Sequence, residues 1–124
     1  MNTQRPIYLN VMQYRFPIMA IVSILHRVSG VIMFILLPFM LYLLHLSLTS
    51  TDSFSSLQQL LLNPAIKILL WIMVSASVFH LIAGIRHLLM DMGLFESLNA
   101  GRITAILVIT LGIIAIILAG VWIW

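Results

Sequence analysis

The chain contains no cysteine, and its 124 residues include only three acidic side chains against six Lys/Arg. Without thiols there can be no disulfides, no protein-borne iron–sulfur ligation and no thiolate-ligated haem. The four histidines are therefore the strong soft-metal or haem ligands the chain can offer. Charged residues make up 7%, against roughly 25% in soluble domains. With 63% hydrophobic residues and a mean hydropathy of +1.20, the composition is that of an integral membrane protein. The pI near 10.0 reflects scarce acid rather than a basic surface. No cluster of Lys/Arg interleaved with aromatics occurs, so no nucleic-acid partner is expected. The start, Met1-Asn2-Thr3-Gln4-Arg5-Pro6, has no short apolar core after a basic tip and no small-residue cleavage site, unlike a cleavable signal. No internal repeat is visible, and the length leaves no room for a second, soluble domain.

What is present is apolar sequence in three long runs. Residues 1–16 are too polar to span and suit the membrane surface as an interfacial segment. Helix I is expected over 17–48, opened by Pro17, whose missing N–H costs nothing in a first turn. Its clean apolar part, 28–46, is long enough for about 30 Å of hydrocarbon, and Pro38 is expected to kink it. Residues 47–64 are rich in Ser and Thr and read as a polar surface loop. Helix II is expected over 65–91 and helix III over 103–124, with a short turn around 93–101 between them. Helix III has no titratable side chain within its apolar run and reads as lipid-facing packing. The whole is one all-α membrane-anchor domain of three transmembrane helices.

Three spans put the N-terminus and the II–III turn on one side. That side holds Arg5, Arg15, Arg27, Arg86 and Arg102, and the other only Lys67. Positive residues stay in the cytoplasm, so the N-terminus is expected inside. Trp71, Trp122 and Trp124 then gather at the outer interface, where indoles prefer to sit.

The polar residues converge on the inner end. At about 100° per residue His80, Gly84, His87 and Asp91 share one stripe of helix II, with Ser77 a turn earlier. Ser23, His26, Arg27 and Gly30 lie on one face at the inner end of helix I. Intramembrane ionisable groups are costly and mark functional sites by default. His80 sits about 9 Å deeper than Arg86, and Gly84 beside it leaves space for a flat group. Each member also has a plainer reading. Arg27 and Arg86 serve equally as positive-inside anchors, the latter more readily. Ser23 can bond back to its own helix, the glycines can simply allow helix contact, and Asp91 can cap charge beside Arg86 or Arg102. His45 is assigned to the outer interface. Seven residues separate His80 from His87, about 10.5 Å along the axis, so one straight helix cannot supply both axial ligands of a single haem. If His80 ligates haem, His26 is the other deep candidate; it is expected nearer the interface, where a propionate contact suits it better.

Arg5-Pro6, the run Ser23-Ile24-Leu25-His26-Arg27-Val28-Ser29-Gly30 and the pattern His80-x-x-x-Gly84-Ile85-Arg86-His87-x-x-x-Asp91 closely resemble the cytochrome b subunit of succinate dehydrogenase, the larger small membrane anchor of respiratory complex II. The likeness covers the whole chain. The Arg-Pro start lacks the Ser-Pro-His-Leu that follows it in mitochondrial members and is closer to the proteobacterial form. The resemblance implies a helical bundle formed with a second small anchor subunit in the bacterial inner (cytoplasmic) membrane. It implies that His80 is an axial ligand of haem b, with the second ligand from the companion anchor. His26 and Arg27 would lie by the haem propionates, and Ser23 and Arg27 would line a ubiquinone site. His87 and Asp91 would conduct protons or hold the helix end, the latter favoured. Flavoprotein and iron–sulfur subunits would dock on the cytoplasmic face. The chain itself has no flavin or dicarboxylate motif, so no succinate chemistry is expected of it alone. Two other readings stand beside this one: a fumarate reductase anchor working with a low-potential quinol, and a haem-free membrane assembly subunit.

Overall fold

The computed structural model describes residues 15–124, so most of the expected interfacial segment at 1–16 lies outside the described residues. The described residues form four helices and no strand: α1 (Ile18–Thr49), α2 (Thr51–Leu60), α3 (Pro64–Asp91) and α4 (Leu98–Ile123). The fold is all-α, and α1, α3 and α4 are long and apolar enough to cross a bilayer. Pro17 stands just before α1, its carbonyl accepting from the N–H groups of Ala20 and Ile21. The helix continues unbroken through Pro38.

Residues 47–64, expected to be a loop, contain α2. A reciprocal cap starts it: Ser53 N–H donates to Ser50 Oγ at 3.1 Å, and Ser50 N–H to Ser53 Oγ at 2.9 Å. Such capping satisfies otherwise orphaned N–H groups. Asp52 lies in the first turn, where the helix dipole favours a carboxylate, and Leu57 is buried. The serines that make the segment look like a loop are thus its helix-starting signal. α3 opens on Pro64, with Asn63 Oδ1 accepting from Ala65 N–H at 2.9 Å.

The α3–α4 turn is shorter than expected, because Ser97 caps α4 and the helix begins at Leu98 rather than 103. Gly93 (φ 81°) and Phe95 (φ 64°) both take left-handed backbone there. For phenylalanine this conformation costs about 1–2 kcal/mol.

α4 is not merely a lipid-facing span. Gly101, Ala105, Val108, Gly112 and Ala119 are buried along one seam against α3 and the start of α1. Small residues let membrane helices approach closely, since packing rather than hydrophobicity drives their association. A Cβ on Gly101 would meet Met19 Sδ at 2.8 Å, and one on Gly112 would meet Phe79 Cδ2 at 2.6 Å. At the far end Trp71 Nε1 donates to the Ile116 carbonyl at 3.0 Å and its ring meets Trp124 edge-on at 6.5 Å. Trp122, largely exposed, lies near Lys67 at that same end. Gly112→Leu is expected to destabilise the purified assembly by roughly 1–3 kcal/mol through overpacking against Phe79, whereas Ile113→Ala, on the exposed face, should change it far less. Thermal denaturation in detergent reads both.

Candidate functional site

Antiparallel packing of α1 on α3 brings two histidines into contact over two glycines. His80 lies against Gly30, where a Cβ would meet His80 Cε1 at 3.2 Å. His26 lies over Gly84, where a Cβ would meet His26 Nε2 at 3.4 Å. The space beside Gly84 is therefore taken by an imidazole from the facing helix. The His26 and His80 rings stack with centroids 4.0 Å apart and planes 23° apart. Any difference in their depth is thus below one helical turn. The His87 ring follows, 6.1 Å from that of His26.

Hydrogen bonds fix the protonation pattern of His80. Its Nδ1 lies 3.1 Å from the His26 carbonyl oxygen and 3.0 Å from Ser29 Oγ. Ser29 Oγ donates its single proton to that same carbonyl at 2.7 Å. A carbonyl can only accept, and the hydroxyl proton is already committed. His80 Nδ1 therefore carries the proton and donates. In a neutral imidazole this leaves Nε2 with a free lone pair. Ser29 is buried and His80 half-buried, so the pair is held in low dielectric, where such bonds gain strength.

The remaining expected site residues are distributed differently. Ser23 is half-buried and Arg27 exposed, one turn apart on α1. His87 and Asp91 are exposed on α3. Ser77 bonds back to the Met73 carbonyl at 2.8 Å and takes no part in the pocket. His45, exposed at the other end, is bonded with Thr49. Arg86 is more than a charge at the membrane edge: it is only 8% exposed, and it donates to Thr104 Oγ1 and to the Gly101 carbonyl, each at 3.1 Å. Its bonds run to α4 and not to Asp91.

Sequence reasoning passed over Ser29, whose signal was its position three residues after His26 on the same helix face. Among the described residues no three His, Cys, Asp or Glu side chains converge as a metal cage. What the cluster offers is a single oriented imidazole, whose Nδ1–H is held by a carbonyl and whose Nε2 is thereby left as the ring's acceptor. That is the donor an axial haem site requires: a ligating histidine whose other N–H is held by a carbonyl.

A family model described as succinate dehydrogenase/fumarate reductase transmembrane subunit matches residues 1–119. The succinate dehydrogenase cytochrome b556 subunit of Coxiella burnetii (strain RSA 493 / Nine Mile phase I) is 54% identical, the alignment covering all of both chains. The succinate dehydrogenase cytochrome b560 subunit of Porphyra purpurea is 41% identical over 73% of this chain and 74% of its own.

Ser29→Ala is expected to cost about 1 kcal/mol of stability, the net worth of a buried hydrogen bond. Ser77→Ala, which loses only a bond within its own helix, should stay within about 0.5 kcal/mol. Unfolding of the two variants in detergent compares them directly.

Proposed function

Because the chain belongs to the succinate dehydrogenase/fumarate reductase transmembrane subunit family, with a cytochrome b subunit of succinate dehydrogenase as a full-length relative, we propose that it is the haem b-binding anchor of a succinate:ubiquinone oxidoreductase. It is a multi-pass membrane protein. In the proposed assembly it lies in the bacterial inner membrane with its N-terminus cytoplasmic. A second anchor supplies the other haem ligand, and the iron–sulfur and flavoprotein subunits dock on the same side.

The observation that carries this reading is the oriented His80. The His26 carbonyl and Ser29 lie at its Nδ1–H, an arrangement that supports Nε2 as the atom that would hold the iron. Haem bound there supplies one-electron transfer through its iron. The chain's own residues do the rest. His26, stacked on His80, and Arg27, one residue on, would meet the propionates. The polarity and hydrogen bonding around His80 set ligand basicity and hence potential.

Ser23 and Arg27, one turn apart at the same end of α1, suit a quinone head group whose tail remains in the bilayer. A quinone carbonyl gains negative charge on reduction, so a hydroxyl donor and a guanidinium stabilise the reduced form. Exposure of Arg27, His87 and Asp91 on otherwise apolar helices fits coverage by further subunits. His87 and Asp91 are assigned to holding the helix end.

His80→Ala should alter or abolish the haem spectrum, read as the reduced-minus-oxidised difference and by a pyridine haemochrome assay on the purified complex. An unaltered spectrum would exclude it as a ligand, and a complex without haem would overturn the reading as a whole. Ser23→Ala and Arg27→Ala should each lower succinate–quinone reductase activity roughly a hundredfold or more, in the range found for removing a charge-stabilising donor. Dye-linked succinate oxidation should survive in both. Unchanged quinone reduction in both variants would remove these residues from the site.

A further inference from the structure

Arg86 lies six residues beyond His80 on α3, about 120° away around the axis in its shorter sense. It faces α4 and not the histidine pair, as its bonds to Thr104 and Gly101 record. A guanidinium has five N–H donors, and these two bonds use two of them. No acidic side chain among the described residues compensates its charge, and it is only 8% exposed. A buried charge without a counter-charge is expensive. It also borders a cavity of about 320 Å³ between α3 and α4, with Ile82, Ile85, Leu107 and Leu111 along its walls and Phe95 and Thr104 beside the arginine. The volume far exceeds one or two waters at about 30 Å³ each, and walls so apolar would not hold water.

The depth decides what such a groove can take. Arg86 is five residues short of the end of α3, about 7.5 Å along the axis. The cavity extends from there past Leu107 to Leu111, toward the middle of the membrane. A charge close to the head-group layer, continuous with an apolar trough running inward, has the polarity of a lipid molecule. A guanidinium fork matches phosphate oxygens in geometry as well as charge. Basic pockets between membrane helices are known to hold anionic head groups. A zwitterionic head group brings its own cation and neutralises less of the arginine. We propose that the α3–α4 groove beside Arg86 binds an anionic phospholipid, its phosphate on the guanidinium and one acyl chain along Leu107 and Leu111. The site stands on the face of α3 turned away from His80 and does not depend on the haem reading.

The test uses the assembled complex in phosphatidylcholine vesicles containing a small fraction of phosphatidylglycerol with a photoreactive diazirine acyl chain. Cross-links are mapped by mass spectrometry. Labelling of α4 between Thr104 and Leu111 is expected in the native complex. Unlabelled phosphatidylglycerol should suppress it, and equal amounts of phosphatidylcholine or inorganic phosphate should not. Arg86→Gln should lower labelling of that segment at least tenfold. Leu111→Trp, which fills the trough and leaves the Arg86 hydrogen bonds in place, should lower it comparably. Dye-linked succinate oxidation and the haem spectrum should be unchanged in both variants. Equal suppression by phosphatidylcholine, or undiminished labelling in Arg86→Gln, would overturn the proposal. Should Arg86→Gln fail to assemble, the competition in the native complex and the Leu111→Trp result decide the matter.

Discussion

The carbonyl oxygen of His26 accepts two side-chain hydrogen bonds, from Ser29 Oγ at 2.7 Å and from His80 Nδ1 at 3.1 Å. The second joins α1 to α3 across the membrane interior, where an unmet N–H costs several kcal/mol. It can form only if the two backbones come close, and Gly30 and Gly84 permit that by giving each imidazole a place on the facing helix. Helix packing, ring orientation and proton position are thus settled together. A side chain at Gly30 would crowd His80 itself, the residue whose Nδ1–H the His26 carbonyl accepts. A site built this way is rigid before any ligand arrives, which is what tuning of a bound metal requires.

Much of this was legible in the residues. Three spans followed from apolar runs interrupted by sparse charge, and the polar stripes of helices I and II from 3.6-residue periodicity. The contact between His26 and His80 followed less directly. Spacing along each helix fixes a face but not the relative height of two helices, so the stacking of the His26 and His80 rings at 4.0 Å was not readable from it. The role of Ser29 was harder to read because its partner His80 is fifty-one residues away. α2 was hidden by its own composition, since Ser and Thr signal both loops and helix starts, and only the mutual bonds of Ser50 and Ser53 distinguish them. α4 gave no titratable clue within its apolar run, yet its buried face is written in small residues, with Gly101, Ala105, Gly112 and Ala119 at spacings of four, seven and seven.

Burial is unevenly shared among the three long helices. Only 6% of the most apolar window of α1 is buried within the chain, against 22% for α3 and 17% for α4. α3 is therefore the central element, flanked by the other two. α1 offers most of its surface outward, including Arg27, a side chain that hydrocarbon would not welcome. The proposed companion anchor would cover the histidine face, while α4 and the Arg86 groove would look toward lipid. One helix, α3, thus presents two polar groups on different faces: His80 toward α1 and Arg86 toward α4.

At 32 residues α1 has a rise of about 48 Å. The hydrocarbon layer is about 30 Å thick, and membrane helices lean by up to roughly 40°. Even at that inclination the helix climbs about 37 Å, leaving roughly 7 Å, more than a full turn, in the polar layers. The boundary between oil and water therefore falls within an unbroken stretch of helix. Its height on α1 is set by which side chains tolerate each medium, not by where the helix stops.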